Sequence, residues 1–143
     1  MKDLENAKQL LKDNLTCVMV KVDTIYTSDL KGIAPLLSYI NQDINIEGFS
    51  IADKVIGKAS ALLCVYAKAK EVYAEILSED GKKTLEENNM PYSYGTLVPQ
   101  ILNKTGDDKC PMEKTVENCG NPKEAVKLLN EKIASLRNGN KKN

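Results

Sequence analysis

Cys110 opens the most chemically suggestive run in the chain, Cys110-Pro111-Met112-Glu113. Proline suits a first helical position, where its missing N–H would be unpaired anyway, and a glutamate in the first turn complements the helix start. Cys110 then falls at the cap. A thiol there has its thiolate stabilised by free amides, which lowers its pKa and raises its reactivity. Lys104, Lys109 and Lys114 are close in sequence and add to that field. A nucleophilic cysteine usually takes its base from a histidine, and this sequence has none. The competing reading is a buried capping cysteine. Cys17 and Cys64 fall in apolar runs and read as core, while Cys110 and Cys119 lack the close pairing of zinc ligands.

A second group lies at Gly48 to Ala67, which reads as a short buried strand at Phe49–Ala52, a turn at Asp53-Lys54 and an apolar helix over 54–67. Asp53 would cap that helix, with Lys54 and Lys58 in its first turn. Its amides would face the crevice at the carboxyl end of the strand, where α/β folds bind ligands. Gly57, Ala59, Ser60 and Ala61 keep the helix start thin, which serves a ligand or simply close packing on the sheet. Ser78-Glu79-Asp80-Gly81 follows the next strand and should sit beside Asp53. Ser78 reads as a helix cap, and Glu79 and Asp80 as acid–base groups, metal ligands or a charge complement to the helix dipole. Asn103, Lys104 and Thr105, leading into Met112 and Glu113, would close over the crevice. Tyr92 and Tyr94 alternate on one strand face, fit to stack on a base or to pack the sheet.

The elements that must position these groups follow from periodicity. Leu4, Ala7, Leu10 and Leu11 share one face of a helix over 2–14. Leu15–Val20 and Ile25–Thr27 suggest an antiparallel hairpin, and Ile33, Leu36, Leu37 and Ile40 a second helix. Strands at 49–52, 71–77 and 91–95, with a further segment at 97–102, alternate with helices at 54–67 and 78–88. Helices from Cys110 and from Asn121 close the domain, and 138–143 reads as a disordered polar tail. This order predicts one α/β domain over 1–137, a three-layer α/β/α sandwich with a mixed sheet.

Composition limits the function. Twenty basic and twenty acidic residues cancel, so no broad phosphate-seeking surface is implied. No apolar run approaches the roughly 20 residues of a membrane span, and the charged start is unlike a signal peptide. A cytoplasmic location with free thiols is expected, and no cofactor is called for. The lack of histidine removes Ser-His-Asp chemistry and any zinc site needing imidazole.

The runs Ala52–Ala59, Leu62–Ala67, Val72-Tyr-Ala, Tyr94–Pro99, Asn103–Gly106 and Cys110–Lys114 together resemble the domain-of-unknown-function family numbered 1893. The resemblance covers most of the chain. It implies a cytidine-deaminase-like fold and a link to RNA or nucleotide metabolism. Zinc deaminases carry a His-x-Glu helix start and a Pro-Cys-x-x-Cys helix start. By strand order these would fall near Asp53-Lys54-Val55 and Leu77–Gly81, and neither motif is present. Cys110-Pro111 inverts the second and lies on a later element. The resemblance therefore implies a nucleotide, nucleoside or RNA element bound without metal. A Cys110-dependent enzyme and a non-catalytic binding module are the alternatives.

Overall fold

The structure, a computed structural model, describes residues 2–12 and 14–141, the last three by their backbone alone. It is a five-stranded mixed sheet with six helices. Helix α1 (Lys2–Leu10) precedes a hairpin of β1 (Cys17–Lys21) and β2 (Thr24–Ser28). Then come α2 (Ala34–Asn41), β3 (Ser50–Ile56), α3 (Lys58–Tyr66), β4 (Glu71–Ser78), α4 (Glu79–Glu87), β5 (Tyr92–Val98), α5 (Pro111–Thr115) and α6 (Pro122–Lys141). The strand order is β2-β1-β3-β4-β5. β1 runs antiparallel to both neighbours, and β3, β4 and β5 are parallel. Parallel neighbours need crossover connections, which α3 and α4 supply. The expected antiparallel opening and parallel continuation are both present.

Two apolar clusters use alternate residues of the central strands. Cys17, Met19, Ile51, Val72 and Ala74 join Leu36 of α2, Leu62 of α3, Leu85 of α4 and Leu129 of α6 in the larger one. Val18, Val20 and Ala52 join Ala7 and Leu11 in the smaller. The period of two along each strand produces this division, and α1 packs on β1, β3 and β4 with its Lys8 ammonium over the Tyr73 ring. Toward the carboxyl ends the alternation slips. Ile56 and Leu77 belong to the larger cluster, although strict alternation from Ile51 and Ala74 would turn them away. The slip occurs at paired positions, Val55 opposite Ile76 and Ile56 opposite Leu77, so the two strands stay in register through it.

Several boundaries differ from those expected. β3 runs to Ile56, so the strand-to-helix turn lies at Gly57 and not at Asp53-Lys54. Asp53 and Lys54 belong to the strand, because the β-branched Val55 and Ile56 extend it before glycine breaks it. The segments on either side of Gly95 form one strand, β5, ending at Val98 before Pro99. α6 starts from Asn121, whose Oδ1 accepts from the Glu124 amide at 3.1 Å. Its backbone continues to Lys141, so the polar tail expected from 138 is helical that far; residues 142 and 143 lie outside the described residues.

Candidate functional site

The carboxyl ends of β3 and β4 lead directly into α3 and α4, so both helix N-termini open at the same end of the sheet. Gly57 caps α3 without a side chain, leaving the first amides of the helix to another partner. That partner is Glu113, fifty-five residues downstream in α5. Its Oε1 accepts from the Lys58 amide at 2.7 Å and its Oε2 from the Ala59 amide at 2.9 Å. The carboxylate is 5 % exposed, so its charge is compensated by these amides and the positive end of the helix dipole. Gly57 makes the approach possible: a Cβ there would stand 2.6 Å from the Glu113 carboxyl carbon.

α4 closes against the same turn. Ser78 Oγ accepts from the Gly81 amide at 3.0 Å and caps the helix, as expected from its sequence. A Cβ on Gly81 would lie 3.1 Å from the backbone of Ile56 and of Gly57, so the two helix starts meet almost backbone to backbone. Ser78 is therefore placed by the Gly57 turn, not beside a turn at Asp53. Glu79 is exposed at the first position of α4, and Asp80 pairs with Lys109 at 3.7 Å. Lys109 Nζ also donates to Glu117 Oε1 at 2.9 Å, which holds the Glu117 carboxyl below and the Lys109 ammonium above their usual ranges. Lys58 Nζ donates to the Glu117 carbonyl at 2.9 Å, so α3, α4 and the α5 region are tied together outside the buried carboxylate.

Beside Glu113 is a recess of about 60 Å³ lined by Ile33, Gly57, Ser60, Cys110 and Met112 among others. Ser60 is 4 % exposed. Cys110 precedes Pro111 as the cap of α5, half-buried, and its side chain makes no capping hydrogen bond. The segment containing Met112 and Glu113 thus covers the α3 start, together with Gly57, Lys58 and Cys110. The loop before it does not reach the recess through its polar groups. Asn103 Oδ1 accepts from Gly106 N at 2.9 Å, and the Asp107 carboxylate accepts from Thr105 Oγ1 at 2.6 Å and from Asn103 Nδ2 at 3.0 Å. These bonds depress the Asp107 carboxyl and fold the tip on itself, leaving Lys104 exposed.

Asp53 lies elsewhere and is unusual for another reason. It is 4 % exposed, directly opposite Cys17 in the β1–β3 ladder. Its Oδ1 accepts from the Val55 amide at 3.1 Å, whereas Oδ2 has no hydrogen-bond partner. Burial pushes its carboxyl up to about 7, against the opposing pull of the Val55 amide. Burial and the nearby Asp53 charge likewise push the Cys17 and Cys64 thiols upward, which makes them inert core groups. Lys54, half-buried in β3, donates its amide to the Thr16 carbonyl at 3.0 Å. Tyr92 and Tyr94 stack on each other on edge strand β5, with ring centroids 6.3 Å apart. The Tyr92 hydroxyl donates to Glu86 at 2.6 Å and is pushed up to about 12 by that bond.

The site does not fit a deaminase zinc centre. At the true helix starts stand Gly57-Lys58-Ala59 and Ser78-Glu79-Asp80, with no imidazole or thiolate set. Among the described residues no group of three His, Cys, Asp or Glu could hold a metal ion, and no helix is long and apolar enough to cross a membrane. Sequence reading missed the main feature, the partnership of Glu113 with α3. Glutamate at that position matched a first-turn residue of its own helix, and nothing local revealed a target fifty-five residues earlier.

Comparison with functionally curated proteins gives no match. Among solved structures, the crystal structure of a DUF1893 family protein (TM1506) from Thermotoga maritima is similar, with a TM-score of 0.84 and 27% identity over 92% of this chain and 90% of that one. Residues 5–133 match the family described as Domain of unknown function (DUF1893). With nearly the whole of the described sheet and its helices inside that match, the chain belongs to the DUF1893 family.

Proposed function

We propose that this protein is a cytoplasmic, cytidine-deaminase-like domain of three layers that acts by binding, not by zinc hydrolysis. Its ligand is a nucleotide, nucleoside or RNA element, taken at the end of the sheet where α3 and α4 begin. The observation that carries this reading is the buried Glu113 carboxylate on the Lys58 and Ala59 amides. A helix start that holds an anion in a desolvated setting is suited to the acidic part of a ligand. The β2-β1-β3-β4-β5 order and the parallel crossovers agree with a deaminase-like framework, and fold analogy supplies the nucleotide class. The missing His-x-Glu and Pro-Cys-x-x-Cys starts argue against the metal reaction.

The test is calorimetric titration of the full chain with nucleosides, nucleoside monophosphates and short single-stranded RNA. One of these classes should bind, and Lys58→Ala should weaken it about tenfold, as removal of one charge-assisted contact does. No heat with any class at millimolar ligand overturns the reading. A second reading, an enzyme that uses the Cys110 thiol, is favoured by one observation. Of four free cysteines, Cys110 alone is not buried, and it borders the recess.

A further inference from the structure

The recess beside α3 contains a donor that Glu113 does not use. Glu113 takes the Lys58 and Ala59 amides with its two oxygens. Ser60, the next residue, is 4 % exposed and lines the same recess, yet its hydroxyl makes no hydrogen bond among the described residues. Asp53 Oδ2 is the one fully enclosed side-chain oxygen or nitrogen without a partner among the described residues, so the Ser60 oxygen stays open at the recess, where its O–H can donate to an acceptor. A carboxylate has two oxygens for this corner. A phosphate monoester has three terminal oxygens, matching two amides and one hydroxyl.

We propose that Glu113 is an internal stand-in for a phosphate monoester, and that such a ligand displaces it from Lys58, Ala59 and Ser60. The class of ligand rests on the binding role proposed above; the exchange itself rests only on the α3 start. Displacement is favoured by how Glu113 is carried. α5 has only five residues, and its Glu113 has no lysine or arginine within ion-pair distance among the described residues. The lysine contacts around it are made by neighbours: Lys58 to the Glu117 carbonyl, Lys109 to Asp80 and Glu117, and Lys114 to Asp108. None of these cations makes an ion pair with the carboxylate, and Lys109 attracts it only through space. Gly57 leaves no side chain across the entrance, and the recess of about 60 Å³ is far below the roughly 300 Å³ of a small-molecule site. Release of α5 would join that recess to solvent and admit the rest of the ligand. The protein is then closed by its own acid until a phosphate competes for it.

The probe is inorganic phosphate, followed by amide NMR shifts on the full chain. Glu113→Ala should bind phosphate at least tenfold more tightly than the unaltered protein, with shifts centred on Lys58, Ala59 and Ser60. Adding Ser60→Ala should remove most of that gain, which a purely structural cap would not predict. Equal affinity in Glu113→Ala, or shifts confined to surface lysines, overturns the proposal. If Glu113→Ala does not fold, hydrogen exchange of the unaltered protein decides. Saturating phosphate should speed exchange across residues 111–117, and unchanged or slower exchange there overturns the proposal. Because the probe lacks base and sugar, phosphate binding without nucleotide or RNA binding refutes the function above and leaves this exchange standing.

Discussion

The Glu113 carboxylate occupies the space that a side chain on Gly57 would need. The carboxyl carbon lies 2.6 Å from where that Cβ would be, and the same carboxylate bonds to the two amides that follow Gly57. A strand end, a helix start and a distant five-residue helix are thereby fixed by one contact, and the two residues act as a unit.

Gly57→Ala should therefore destabilise the protein mainly by expelling Glu113. The loss is about 2–3 kcal/mol, since a buried charge and two amides lose their partners together. Glu113→Ala alone should show a comparable loss, and the double variant should be little worse than either single one. Urea midpoints at constant slope measure all three. Additive losses would show that the two residues are independent.

Cys110 should be the one thiol that native protein offers to a disulfide reagent. Cys17, Cys64 and Cys119 are buried, whereas Cys110 is half-buried at a helix cap. One equivalent should react in the folded state and four after denaturation, with Cys110→Ser removing the native equivalent. If the native rate does not exceed that of glutathione, the thiol is not activated and the enzyme reading of Cys110 fails.

Much of the fold was legible because its signals are local. Val18, Val20 and Ala52 alternate with Cys17, Met19 and Ile51, and a period of two needs no knowledge of the partner strand. Ser78 caps α4 through the local bond that its type and spacing predict. The turn at Gly57 was misplaced because Asp53 imitates a helix cap, while Val55 and Ile56, which carry the strand onward, fit an apolar helix equally well. The centre of the site was not legible, because Glu113 meets α3 across the fold.

Val22 supplies a stability test outside the site. It is the first of two residues joining Lys21 to Thr24 in the hairpin, and its φ is 55°. A β-branched residue in the left-handed region costs roughly 1–2 kcal/mol, whereas glycine adopts it freely. Val22 is also 73% exposed, so little packing is lost on its removal. Val22→Gly should raise stability by about 0.5–1 kcal/mol after the entropy of glycine in the unfolded chain is counted. A thermal melt should move up by a few degrees; a lower midpoint would refute the strain.

Asp53 should set the pH dependence of stability. Its carboxyl is held up to about 7 by burial, against the 3.8 of a free aspartate. In the unfolded chain the proton leaves near pH 4, while in the folded protein it stays until about pH 7. Between these values the folded state binds more protons, so stability falls as pH rises through that window, by up to about 1.4 kcal/mol per pH unit, and levels off above it. The contribution is fully present below pH 4 and lost by about pH 7. Exposed Asp107, Asp108 and Glu117 have lowered values and act oppositely, losing stability as pH falls, but solvent screens their contributions. Asp53→Asn keeps the shape and an oxygen for the Val55 amide while removing the charge, so its advantage over the unaltered protein should grow from pH 4 to pH 7. Urea unfolding of both proteins across that range measures it. A pH-independent difference would mean that Asp53 is ionised throughout and that its unpartnered oxygen is solvated.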